Sequence, residues 1–337
     1  MNGIQGTHMW GLYLSGALLI VLFALFSCSA SDDESSVNSI QSGNAANPQG
    51  GTSPGGTSQG GTPQVGAPQS GASPSQNASG NALIIDHTST DLDAIPPEWI
   101  EKAKETLHIA YGHTSHGSQI TSGMEGLASF KGSLYAYNSG GVGGALDLRD
   151  QPFSGASDLG DPDRTAWAIS TRSYLNQHPE INVVMWAWCS QADGTAEEIN
   201  LYLSLMSELE KDYPDVCFVY MTGHLDGTGL TGNLNVRNNQ IRQYCRANGK
   251  ILYDFADIET YDPDGVYYGD RIPNDNCDYD SGRDGVRDAN WAIQWQNSHV
   301  EGVDWYSCYS AHSQPLNANL KAYAAWRLWA TIAVWRF

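Results

Sequence analysis

The stretch "LHIAYGHTSHGSQI", residues 107–120, sets the reading of the whole chain. A short apolar run ends at Gly112 and gives way at once to two histidines, two serines and a threonine. An apolar run of this length bounded by glycine predicts a buried β-strand, and the polar segment at its exit predicts a loop on the sheet edge. Four more runs have the same character: "SLYAYN" from 133, "INVVMWAW" from 181, "VCFVYMTG" from 216 and "ILYDFADI" from 251. Helical patterns fall between and after them. In "GTAEEINLYLSLMSELEKDYP", Ile199, Leu203, Met206 and Leu209 recur at helical spacing among Glu and Lys. "NLNVRNNQIRQYCRANGK" ends in Asn-Gly, as helix C-termini often do, and "PLNANLKAYAAWRLWATIAVW" opens on proline and stays apolar to the end. Alternation of this kind predicts a three-layer α/β domain, with helices on both faces of a mostly parallel five-stranded sheet. A long insert, roughly residues 260–310, precedes the last helix.

Composition divides the 337 residues into three segments. Residues 1–28 hold the apolar run "WGLYLSGALLIVLFALFS" ending at Cys28, which reads as an export signal or an uncleaved anchor. Residues 29–80 are Gly, Ser, Pro, Gln, Asn and Thr with almost nothing to bury, so a disordered linker is expected there. Residues 81–337 are rich in Trp, Tyr and β-branched runs and form the α/β domain. The formal charge of −20 and the lack of any Lys or Arg before Lys102 exclude nucleic acid and a polybasic membrane contact. The expected partner is a polysaccharide or another acylated small molecule. Contact with a membrane is expected only through the N-terminal lipid or signal anchor, in an extracytoplasmic, tethered or secreted protein. "LFSC", Leu25 to Cys28, resembles the lipobox of bacterial lipoproteins, which implies lipidation of Cys28.

Ligands of open α/β sheets bind beyond the carboxyl ends of the strands. The segments "HTSHGSQ", "SGGVGG", "CSQADGT" and "HLDGTG" follow predicted strands and should converge on one edge. His113, His116 and His224 lie on them, and His312 lies just before the terminal helix. Each histidine alone could be structural; four at one rim point to chemistry.

The order of these segments over residues 105–335 resembles the SGNH (GDSL-like) hydrolases, whose extracellular members include many carbohydrate esterases. The resemblance implies a flavodoxin-like sheet and a serine nucleophile after the first strand, here Ser115 in "GHTSHG". It implies an oxyanion-hole glycine in "NSGGVGG", with Gly143 as the donor, and a side-chain donor in "WCSQAD", where Ser190 or Gln191 stands for the family's asparagine. It implies His312 as the base, from "YSAHSQPLNANLKAYAAW". The family's aspartate three residues before that histidine is Tyr309 here, so Asp304 or a backbone carbonyl is left to orient the imidazole.

The chemistry is also legible without the family. A serine hydroxyl needs a base to take its proton, and the oxyanion that forms needs fixed donors. Ser115, His312 and the Gly143 amide are expected to supply these, with activity falling as acid protonates the base. Ser118 is the competing nucleophile, one helical turn on and pointing elsewhere. His113, His116, His224 and Trp188 are expected to contact substrate. No cofactor and no metal is expected. Two other readings compete: a metal-dependent hydrolase with zinc held by His113, His116, His224 and His312, and a non-catalytic module that stacks sugars on Trp186, Trp188, Trp291, Trp295 and Trp305. "NDNCDYDSGRDG" invites a calcium reading through Asn276, Asp278 and Asp280. Cys189 and Cys217, inside apolar runs, are expected as buried thiols, and Cys277 and Cys308 as a disulfide.

Overall fold

The computed structural model describes residues 81–336. The expected export signal, the lipidation of Cys28 and the 29–80 linker lie outside the described residues. In chain order the elements are β1 (Leu83–Ile85), α1 (Pro97–Thr106), β2 (His108–Gly112), α2 (Ser118–Lys131), β3 (Tyr137–Asn138), β4 (Leu146–Asp150), α3 (Ala166–Leu175) and β5 (Val183–Trp186). They continue with α4 (Ala196–Asp212), β6 (Cys217–Met221), α5 (Asn233–Ala247), β7 (Ile251–Tyr253), α6 (Phe255–Ile258), β8 (Asp278–Tyr279), β9 (Ala289–Asn290), α7 (Trp291–Ser298) and α8 (Pro315–Arg336).

Seven strands, not the expected five, form the central sheet, in the order β1-β7-β6-β5-β2-β4-β3. Every pairing in it is parallel. Two strands escaped the apolar pattern for different reasons. β1 is three residues long. β4, "LDLRD", carries charges that read as loop, yet Asp147 is buried because His108 Nδ1 at 2.8 Å, the Gly140 N–H at 2.6 Å and Arg149 satisfy it. The run from Ser133 yields only two strand residues, since Ser133–Tyr135 coil into a 3₁₀ turn first.

Burial explains why the sheet has two covered faces. Consecutive residues of a strand point to opposite sides, and Val183 to Trp186 of β5 and Cys217 to Met221 of β6 are all buried. Helices α1, α2 and α8 pack together as one group, and α3, α4 and α5 as another. α4 buries the expected Ile199, Leu203, Met206 and Leu209, and a capping box between Thr195 and Glu198 starts it.

The insert before α8 carries the β8–β9 hairpin and α7. Its acidic residues do not converge as a calcium loop: Asp278 accepts from Asn276 and Asn290, while Asp280 accepts from the Asp284 and Gly285 backbone. The expected Cys277–Cys308 disulfide is not formed. Cys277 faces Ser313 and Cys308 accepts from Asn319, so two different partners pull the thiols apart. Cys189 and Cys217 are buried, as their apolar surroundings predict.

Candidate active site

The 113–117 loop sits at the carboxyl end of β2, and its shape follows from close packing. A Cβ on Gly117 would come within 2.7 Å of three atoms, from His113, Ala187 and Tyr111, so only glycine lets the chain turn into α2 this tightly against β5. α2 then begins at Ser118, whose hydroxyl donates to the Ser115 carbonyl at 2.7 Å. Ser118 is therefore committed to the turn. Ser115 is half-buried and its Oγ lies 3.0 Å from His312 Nε2, across nearly two hundred residues of sequence.

His312 has φ 60°, a left-handed conformation that a non-glycine residue holds only when its surroundings enforce it. The enforcement comes from the core. Gln119 of α2 donates to the carbonyl of Ala311, and its own carbonyl accepts from Lys321 of α8. Lys321 is fully buried against Glu259, also fully buried, at 2.5 Å. Glu259 in turn accepts from the Leu225 N–H, next to His224, at 2.8 Å, and Asn317 beside it holds Ser313. Burial pushes the Glu259 carboxyl up and the Lys321 amine down, against their mutual attraction. One buried network thus fixes the backbone beside both His312 and His224.

The histidines divide into two roles. His113 turns away from Ser115, with Nε2 on Asp150 at 2.6 Å and Nδ1 on the Thr114 carbonyl at 2.9 Å, which makes it a brace between β2 and β4. His116, His224 and His312 instead stack: His116 lies face to face with His224 at 3.7 Å and 3°, and beside His312 at 4.6 Å and 20°. His116 Nε2 meets Asp275 at 3.0 Å, and Nδ1 faces Cys189 Sγ at 3.5 Å. Burial pushes the His116 ring down to about 4, outweighing the opposing pull of Asp275. Burial acts to raise the Asp275 carboxyl, but the His116 hydrogen bond and the neighbouring His224 and His312 rings together hold it below the usual carboxylate range.

His116, His224 and Asp275 bring a nitrogen of each ring and a carboxylate oxygen within 4.8 Å of one another. The geometry still does not fit a shared zinc. Two imidazoles bound in their own planes at about 2.0–2.1 Å open to ring centres roughly 5 Å apart, with lone pairs converging on the ion. Here the ring centroids are 3.7 Å apart and the planes 3° from parallel, so in-plane lone pairs on the two rings lie in planes that do not meet at one ion. With His113 on Asp150 and His312 on Ser115, the four expected ligands form a brace and a stack rather than a chelate.

Several other expected site residues stand elsewhere. Gly143 belongs to an exposed turn at the amino end of β4. Asp147 pairs with His108 and Asp150 with Tyr111, so that turn lies about 13 Å of strand rise below the Ser115 loop. Asp304 is exposed and accepts from the Val300 N–H at 2.8 Å, closing its own loop. Trp188 is buried, with Nε1 on the Met221 carbonyl at 2.9 Å and its ring against Tyr202. Trp186 and Trp291 are buried too, which removes them as sugar platforms. Ser190 is exposed, and Gln191 turns its side-chain oxygen back to the Cys189 N–H at 3.2 Å, leaving its amide nitrogen without an acceptor among the described residues.

Sequence reasoning missed Asp275, Asp150 and Asp158, the last being a buried carboxylate that accepts from Thr114 and that burial pushes up. It also missed Glu259, Gln119 and Lys321. Lys321 carried a signal, since a lone lysine within an apolar helical run needs a buried partner. No protein-family model matches the chain, and no curated protein matches it.

Proposed function

We propose that this is a serine esterase of the SGNH type that deacylates a carbohydrate or a related ester through an acyl-enzyme. The observation that carries the reading is the 3.0 Å contact between Ser115 Oγ and His312 Nε2. As Oγ attacks the acyl carbon, its proton passes to His312; as the tetrahedral intermediate collapses, His312 returns that proton to the leaving alcohol. Water then attacks the acyl-Ser115 by the same route. The N–H groups of His116 and Gly117, at the start of α2, find no acceptor among the described residues. With the Gln191 amide nitrogen they take the oxyanion role first assigned to Gly143.

Asp275 takes the role first assigned to Asp304, through the stack rather than through a direct bond. Two cationic rings 4.6 Å apart would repel by about 4 kcal/mol at an effective dielectric of 20. A neutral His116 backed by an ionised Asp275 removes that penalty and places negative charge beside the imidazolium as it forms. The Cys28 lipid and the 29–80 linker, on this reading, tether the enzyme outside the cytoplasm, where acylated polysaccharide is found.

Purified protein treated with a serine-directed phosphonate should take up one equivalent at Ser115 and should turn over a small acetyl ester. Asp275→Asn should slow labelling by about tenfold or more. Absence of both labelling and turnover, in a folded protein, would refute the esterase.

A further inference from the structure

Beyond the histidine stack, the same sheet edge opens into a cavity of about 320 Å³, near the small end of the 300–1,000 Å³ usual for small-ligand pockets. Asp86 enters it after β1, Asp226 after β6 and Asp257 from α6 after β7, while Asn239 and Arg246 of α5 and the ring of Tyr267 close the other side. Its wall neighbours residues of the candidate site at two points along the chain. Leu225 of the wall adjoins His224, and Pro273 of the wall lies two residues before Asp275.

The lining has a specific pattern. Asp86 commits Oδ1 to Thr88, Asp226 commits Oδ1 to Thr228, and Asp257 commits Oδ2 to His87. The other oxygen of each carboxylate has no described donor. Each acceptor is thus held rigid by one oxygen and open at the other. Donors face them: the Asn239 amide nitrogen and the Arg246 guanidinium make no side-chain hydrogen bond to a described residue. Tyr267, 40% exposed, offers a ring face. Arg242, the second arginine in the lining, is neutralised by a two-pronged pair with Asp254 at 2.6 and 2.8 Å.

Fixed carboxylate oxygens that accept from paired hydroxyls, with an amide donor and an aromatic face, suit a polyol. Three carboxylates against one uncommitted cation disfavour an anionic sugar. We propose that this cavity is a glycosyl subsite that binds a neutral, diol-bearing sugar unit next to the ester-bearing one, a proposal that rests on the esterase reading and gives its substrate class as a neutral glycan.

Calorimetric titration of the full chain, with EDTA present, tests it using xylotetraose and cellotetraose, with trigalacturonate as the anionic comparator. A neutral tetraose should bind, and should bind Ser115→Ala as tightly, because the subsite stands apart from the nucleophile. Tyr267→Ala should weaken binding about tenfold and Arg246→Ala about threefold; Arg246 is exposed, so its loss leaves the fold intact. Binding of neither neutral tetraose, preference for trigalacturonate, binding that requires added calcium, or equal affinity in both variants would each overturn the subsite. Phosphonate labelling separates the two readings. A protein that labels at Ser115 but binds no neutral sugar loses the subsite and keeps the esterase, and one that binds but does not label does the reverse.

Discussion

Two turns that the sequence marks as candidate sites, residues 113–117 and 139–145, flank neighbouring strands and differ in almost everything else. The first, HTSHG, carries two imidazoles and two hydroxyls with one glycine, and the second, SGGVGGA, is mostly glycine. The first leaves the carboxyl end of β2 and is backed by Asp150, Asp158, Asp275 and the buried Glu259–Lys321 pair. The second enters the amino end of β4 and, among the described residues, leans on Asn138 and Asp147. In a parallel sheet the two ends are chemically unlike, because the carboxyl end is where loops meet helix N-termini and converge. The sequence marks both turns as candidate sites; strand register sets the first beside the other candidate side chains and the second away from them.

The comparison can be broken most directly by removing the proposed nucleophile or the proposed base. Ser115→Ala and His312→Ala should each reduce ester turnover by about 10³-fold or more, while the oxyanion donors preserve a small residual rate. Retention of full rate by either variant would remove the chemistry from the 113–117 edge.

The backing network is tested next. Lys321→Met leaves the Glu259 carboxylate buried without its partner and should cost about 3–5 kcal/mol of stability, measured by urea unfolding. Replacing both members, with Lys321→Met and Glu259→Leu, should recover part of the loss. A cost below about 1 kcal/mol for the single change would mean that the pair does not anchor the edge.

A smaller effect, specific to the stack, follows from His116. Its ring is held near 4 in the fold against 6.5 in the free side chain, so between those values the unfolded chain binds a proton that the folded chain does not. This contribution to stability is complete above pH 6.5 and is lost as pH falls toward 4, by about 3 kcal/mol at full extent. Unfolding curves of wild type and His116→Gln across that window should differ in slope, the wild type falling more steeply. Parallel curves would show that His116 is not buried neutral.

The smallest effects should come from the second turn and the far loop. Gly143→Ala meets no atom within 4 Å but must hold φ 74°, so about 1 kcal/mol of stability should be lost with turnover unchanged. Asp304→Asn should likewise leave turnover unchanged. A large loss of activity in Gly143→Ala would return that glycine to the oxyanion hole and undo the comparison.

Periodicity and capping are local properties, and here they were enough for the class of fold. The helical stripe Ile199–Leu209, the run of β6 and the apolar last helix each carry their own signal within one window of sequence. The pairing of Ser115 with His312 was also legible, because each lies at an element boundary that the pattern marks. β1 and β4 were hidden, one by brevity and one by charges that are satisfied only by neighbours. The same reason hid Asp275, Glu259 and Gln119, which are unremarkable polar residues until the fold brings their partners to them. The sequence by itself determined the alternation of strands and helices and the chemical kind of the loop after β2. Tertiary structure alone decided which end of the sheet each turn occupies and which histidines stack. It also decided which carboxylate stands behind His116, since parallel register and burial depend on residues far apart in the chain.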